Sequence, residues 1–512
     1  MEITKLCTIL SVFLVSLTLS HSSPSESGLE YWCSQTPYPQ TCQYFMCQRQ
    51  HFSINTKSQF KKMIIQIALD QAIQSQTLNL LSAFKYWNDR QKSALADCLQ
   101  LFENAVFQLN NTLNHFGQYK HNMDAQTWVT AALTNINMCR TGLTETGVCN
   151  NIVVALMLKN VTESTSNCLA FDYNDTSTNE MTNKVPNLVK NVSNVPAKTN
   201  LVVAQDGSGD LEKIQQAVDV ASSRNGTERF VIYVKAGIYN ESVQIGPNGI
   251  NITMIGDGIG KTIITGTKSF KGGSTTLSSA TFSVIGDGFI ARNMTFRNTA
   301  GPTSCQAVAL VSQSDLSAYY HCSFEGNQDT LFVLANRQFY RECDIYGTVD
   351  FIFGNAAAVF QNCNIYVRTD SSNFNTITAQ GRDCENPNQN SGIVIQNSKV
   401  MPATLEPNSA AVTYLGRPWK DYSRTIFLKT FLHGFIDPAG WLAWNNETSN
   451  LKTIYYGEYQ NTGPGSFTKE RVKWDGYHVI NDSAKASEFT VGKFLSGHSW
   501  LPSLDIPFTL EL

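Results

Sequence analysis

Two aspartates, Asp329 and Asp350, stand 21 positions apart, each seven residues after a cysteine in a look-alike segment. Asp329 follows Cys322 of YYHCSF, and Asp350 follows Cys343 of YRECDI. If such segments are successive windings of a solenoid, the two acids share one phase on neighbouring strands, ~4.8 Å apart, on one outer face. Two carboxyl groups that close do not both ionise freely, so one pKa rises. The protonated member then serves as general acid while its ionised neighbour acts as nucleophile or base. The same phase match stacks Cys322 on Cys343 and predicts a disulfide between them.

The windings themselves are legible as repeats. IARNMTF, YYHCSF, YRECDI, FQNCNI and VIQNSKV align on Met294, Cys322, Cys343, Cys363 and Ser398, with spacings of 28, 21, 20 and 35. Irregular units of short β-branched and aromatic runs plus a variable loop fit the coils of a parallel β-helix. This pattern belongs to the second part of the chain only. Residues 1–200 hold 4 of the 33 glycines, so the architecture changes near residue 200. From Gln40 to Phe116 there is neither glycine nor proline. There Phe60, Ile64, Ile67 and Ala68 form one helical stripe, and Leu99, Phe102, Val106, Leu109 and Leu113 form another. The reading is a two-domain chain. An all-α four-helix bundle spans 29–170, a polar linker 171–198, and an all-β parallel β-helix 199–512. Cys33 and Cys42, nine residues apart, suit a local staple, and Cys98 with Cys139 would tie two helices.

Composition narrows the function classes. With 42% hydrophobic and 15% charged residues the 512-residue chain is globular, and a net charge of −3 argues against binding nucleic acid by bulk charge. Residues 1–23 have a basic start, the apolar run LCTILSVFLVSLTL and small residues beyond it, the pattern of a cleaved secretory signal. That run is shorter than the ~20 residues a membrane span needs, so a secreted, membrane-free mature chain is expected. Thirteen cysteines suit an oxidising compartment. Sequons stand at Asn110, Asn160, Asn174, Asn191, Asn225, Asn240, Asn251, Asn293, Asn446 and Asn481. No CxxC or HExxH pattern suggests a metal, and no cofactor is implied. MIGDGIGKT imitates a phosphate loop, but Ile255 stands where glycine is required and IITG follows instead of a helix. No GxSxG elbow is present.

GIYNE (237–241), CQAVAL (305–310), GNQDTL (326–331), DFIFGNA (350–356) and LGRPW (415–419) occur in this order over some 300 residues. Together they resemble the plant pectin methylesterase family. WCSQTPYPQTC, DCLQLFENAV and TWVTAALTNINMC similarly resemble the inhibitor domain that forms the pro-region of such enzymes. The resemblance implies a right-handed parallel β-helix that hydrolyses methyl esters of homogalacturonan, the pectin of the cell wall, to methanol and free carboxylate. It makes Asp350 the nucleophile and Asp329 the acid that protonates methanol, then the base that activates water. Gln328 and Gln306 would stabilise the oxyanion, and Arg417 would orient Asp350 and hold it as the anion. Thr276, Gln306, Phe353, Arg417 and Trp419 would contact substrate. An intramolecular contact with the inhibitor-like half is also implied.

The chain departs from the family pattern at Asn327, where an aromatic is usual, and at Phe332, where tyrosine is expected. Its linker holds only isolated Lys184, Lys190 and Lys198, without the dibasic cleavage motif common in the family. Two rival readings are a β-helical lyase or glycosidase, which would cut the polymer without releasing methanol, and a non-catalytic pectin binder.

Overall fold

The computed structural model describes residues 24–49, 54–77, 87–119, 123–148, 152–171, 199–369, 373–383, 388–404, 411–446 and 448–512. Residues 1–23 and 172–198, and with them the expected leader and all of the expected linker except Phe171, lie outside the described residues, as do Cys149 and Cys384; the sequons at Asn174 and Asn191 fall in 172–198.

Among the described residues the first half holds six helices: α1 (Pro24–Ser34), α2 (Pro39–Cys47), α3 (Lys57–Thr77), α4 (Asp89–Asn114), α5 (Asp124–Glu145) and α6 (Ile152–Cys168). The long helix α4 opens on a capping box in which Asn88 and Gln91 each bond the other's backbone N–H. Disulfides Cys33–Cys42 and Cys98–Cys139 form as expected, the second tying α4 to α5. Phe60, Ile64, Ile67 and Ala68 are buried, and so is Phe171, which packs edge-on against Phe60.

The α4 stripe differs from the expected one. Leu99 is 40% exposed, while Ala94, Cys98, Leu101, Phe102, Ala105 and Leu109 are buried. The buried arc is turned toward the polar Asn104 and Gln108, because α4 packs against the β-helix as well as the bundle, and Leu99 falls outside it. Asn104 Nδ2 donates to Gln313 Oε1 across that boundary at 2.8 Å.

The second half is a parallel β-helix with two sheets. The smaller sheet runs Val243–Ile245, Phe282–Val284, Leu310–Ser312, Leu331–Val333, Ile352–Gly354, Phe374–Gln380 and Val412–Gly416, every pairing parallel. In the larger sheet the aligned anchors Met294, Cys322, Cys343, Cys363 and Ser398 stack inward, all buried. The residue before each anchor turns a corner in the left-handed region: Asn293, His321, Glu342, Asn362 and Asn397 have φ between 50° and 57°. Asparagine tolerates that conformation best among these, which is why it recurs in the repeat.

The predicted Cys322–Cys343 disulfide does not form; both are free thiols, as is Cys363. Side chains of equal phase on parallel strands point the same way at the ~4.8 Å strand spacing, whereas a disulfide draws its Cβ atoms to about 3.8 Å. Cys343 Sγ instead bonds Tyr319 O at 3.4 Å, and Cys363 Sγ bonds Tyr340 O at 3.5 Å.

The helical half sits on the flank of the smaller sheet. Val308, Val311, Phe332, Leu334 and Phe353 of the β-helix share one apolar cluster with the bundle core. Fully buried Arg337 bonds Asp315 within the β-helix at 2.6 Å and Asp124 at the start of α5 at 2.7 Å.

Candidate active site

Asp329 and Asp350 occupy matched positions, two residues before the paired Leu331 and Ile352. The Asp329 N–H donates to Val349 O at 3.0 Å, which locks the two windings together here. Both acids adopt left-handed backbone, φ 60° and 51°. In DFIFGNA, Gly354 has φ +128°, and a Cβ there would lie 2.0 Å from Val333 O, so the close stacking of these coils needs glycine. The acids are 7% and 4% exposed, because the expected outer face is covered by the helical half.

The two carboxyl groups have unlike surroundings. Asp350 Oδ2 accepts from Arg417 Nη2 at 2.6 Å, and its Oδ1 accepts from Arg417 Nε at 2.9 Å and Thr376 Oγ1 at 2.6 Å. Such a bidentate guanidinium contact suits an anion. Arg417 is itself held between aromatic faces, 4.1 Å from the Trp444 ring and 5.2 Å from that of Phe374. Among the described residues no cation pairs with Asp329 as Arg417 pairs with Asp350. Burial, then the charge of Asp350, push its carboxyl well above the usual range, against the opposing pull of Arg417. One acid is therefore poised to hold a proton beside an arginine-paired neighbour.

Both line a cavity of about 190 Å³, and Gln306, Gln328, Thr276, Phe353, Arg417 and Trp419 line it with them. Every site residue expected from the sequence is thus brought to one place. Gln328 directly precedes Asp329, and Gln306 comes from the winding before, where Ala307 N–H donates to Gln328 O at 3.2 Å. Phe353 stacks on Phe332 with centroids 4.2 Å apart, and both meet the Trp419 ring edge-on. Phe332 is fully buried in that stack. Trp419 rests over Gly381, where a Cβ would be 2.8 Å from its ring.

Four residues at the site escaped the sequence reading. Trp444 and Thr376 come from segments without a recognisable pattern. Asp97 of α4 and Glu145 of α5 reach the cavity from the helical half. Asp97 hydrogen-bonds Thr275, and burial raises its carboxyl to about 6. Burial raises Glu145 as well, with Lys420 opposing.

A family model described as Pectinesterase matches residues 200–498. The chain belongs to the pectinesterase family. A second model, Plant invertase/pectin methylesterase inhibitor, matches 27–171. Pectinesterase 2 of Citrus sinensis is 50% identical over 98% of this chain and 99% of its own length. Probable pectinesterase/pectinesterase inhibitor 17 of Arabidopsis thaliana is 49% identical over 98% and 97%. Among solved structures, pectin methylesterase from carrot matches with TM-score 0.60 and 49% identity, covering 62% of this chain and all of that one. The Aspergillus niger pectin methylesterase matches with TM-score 0.51 and 30% identity, covering 61% and 98%. In this member of the pectinesterase family the aspartate pair lies within the stretch matched by the Pectinesterase model, and Asp97 and Glu145 lie within the inhibitor match.

Proposed function

We propose that this chain hydrolyses methyl esters of homogalacturonan through Asp350 as nucleophile and Asp329 as proton donor and acceptor. The arginine-paired Asp350 attacks the ester carbonyl, and the amides of Gln306 and Gln328 take up the negative charge that develops on its oxygen. Collapse breaks the C–O bond to the methoxy group, and Asp329 gives that oxygen its proton, releasing methanol. An anhydride links Asp350 to the galacturonyl group. Asp329, now ionised, accepts a proton from water, and the resulting attack frees the sugar carboxylate and Asp350. Asp329 ends protonated, as it began. The observation that carries this reading is the buried pair itself, one carboxyl held by Arg417 and the other pushed toward its protonated form.

The helical half acts as a built-in cover. Asp97, Met138 and Glu145 line the cavity that the catalytic pair also lines, in the space a polysaccharide would cross. The leader pattern of 1–23 supports export to the cell wall. The test is methanol release from methylated homogalacturonan by the full chain, before and after nicking in the 171–198 linker. We expect release to rise after nicking while the length of the polymer stays constant. Shortened or unsaturated products without methanol would favour a lyase or glycosidase instead.

A further inference from the structure

The phase that aligns Asp329 with Asp350 continues for one more winding. Ile352 pairs with Thr378, so the position in register with Asp350 on the strand Phe374–Gln380 is Thr376. Its side chain is fully buried and does not line the cavity that holds the two acids. Its hydroxyl makes two bonds to one residue: Oγ1 accepts from the Asp350 N–H at 2.9 Å and donates to Asp350 Oδ1 at 2.6 Å. A single oxygen thus ties the backbone of Asp350 to its own carboxylate.

That tie has work to do. Asp350 sits at φ 51°, a left-handed backbone region that L-residues adopt only when the surroundings hold them there. Its carboxylate faces a strong opposing pull, because Arg417 grips both oxygens from one side. Arg417 arrives from the end of the strand Val412–Gly416, two windings from Asp350 along this sheet, and is backed by Trp444. An aspartate free to turn about its side-chain bonds would settle on the guanidinium at whatever angle favours the ion pair. The Thr376 hydroxyl holds Oδ1 from a second direction, and two anchors on different strands fix the plane of the carboxylate.

We infer that Thr376 is a positioning residue for the nucleophile, fixing the rotamer and backbone of Asp350 so that its carboxylate meets the ester at the productive angle. The inference rests on the reading of Asp350 as the attacking group. Valine matches threonine in shape but lacks the hydroxyl; serine keeps the hydroxyl and lacks the methyl.

The experiment compares Thr376→Val, Thr376→Ser and Asp350→Asn in the full chain nicked in its linker, with methylated homogalacturonan as substrate. Thr376→Val lowers kcat by about 10²-fold, the scale of a misplaced reacting group, and leaves KM within about twofold, since no substrate contact is lost. Thr376→Ser restores kcat to within about threefold of the parent. A residue that merely filled the core would give the opposite order, with valine tolerated and serine impaired; that result, or a parental kcat in Thr376→Val, overturns the inference. If Thr376→Val does not fold, Thr376→Cys replaces it. Its thiol bonds weakly in both roles, so kcat falls well below that of Thr376→Ser; equal rates for the two overturn the inference. The control separates the two claims. An active Asp350→Asn removes the nucleophile reading itself, whereas an inactive Asp350→Asn beside a normal Thr376→Val removes only the role given to Thr376.

Discussion

Raising the pH loosens the helical half from the β-helix, and Asp97 carries a definite share of that effect. Docking buries its carboxyl against Thr275 and raises its pKa from 3.8 to about 6. The docked form therefore binds the proton more tightly than the separated form. Docking is strongest below about pH 4, where Asp97 is protonated in both forms, and weakens as pH rises through the interval up to about 6. About two units of difference correspond to ~10²-fold in affinity, or ~3 kcal/mol. Burial moves Glu145 and Asp383, which also face the boundary between the halves, in the same direction, so the wild-type slope is steeper still. The assay is the fraction of separated halves in the nicked chain, read by size-exclusion chromatography from about pH 4 to about pH 6.5. Asp97→Asn imitates the protonated acid at every pH. It should dock as well as the parent at the acid end and lose ~10²-fold less affinity across the range. Affinity that is constant or rises with pH, or an unchanged slope in Asp97→Asn, would exclude a proton-linked docking through Asp97.

The Arg337 cluster is another polar anchor of docking. Asp124→Ala leaves the buried guanidinium with Asp315 alone, and the affinity of the nicked halves at acid pH should drop by about 3 kcal/mol; a change within about twofold contradicts this. Trp444→Ala removes the ring 4.1 Å from Arg417 and should lower kcat by roughly tenfold, as expected for loss of a desolvated cation–π contact; steady-state methanol kinetics decide it. Cys322, Cys343 and Cys363 should resist alkylation in the native protein and react in denaturant without any reductant. Recovery of a peptide pair linked through Cys322 and Cys343 would count against the thiol ladder.

The solenoid and its acid pair were legible because both are periodic. One winding of 21 residues places Asp350 in register with Asp329, and the repeat anchors mark each inward-facing side chain. The same periodicity misled at Cys322 and Cys343: sharing a phase brings two residues near, but on parallel strands it also aims them alike. Leu99 lies outside the buried arc because contact with the β-helix turns that arc toward Asn104 and Gln108, whose polar side chains an apolar stripe does not count. The left-handed corners at His321 and Glu342 left no sign beyond the asparagines at equivalent sites. Asp97, Glu145 and Trp444 reach the cavity through packing between distant segments, and no local spacing encodes that meeting. Thr376 was hidden differently: a threonine in a β-strand is ordinary until its register with Asp350 is known.

The central claim is that Asp350 and Asp329 together break a methyl ester. Its most direct test is methanol released per molecule by the nicked chain and by its Asp350→Asn and Asp329→Asn variants, with thermal unfolding confirming that all three are folded. Each variant should fall at least ~10³-fold below the parent, since each lacks a group that must act in every turnover. Methanol release by either variant at a rate near the parent's would contradict it.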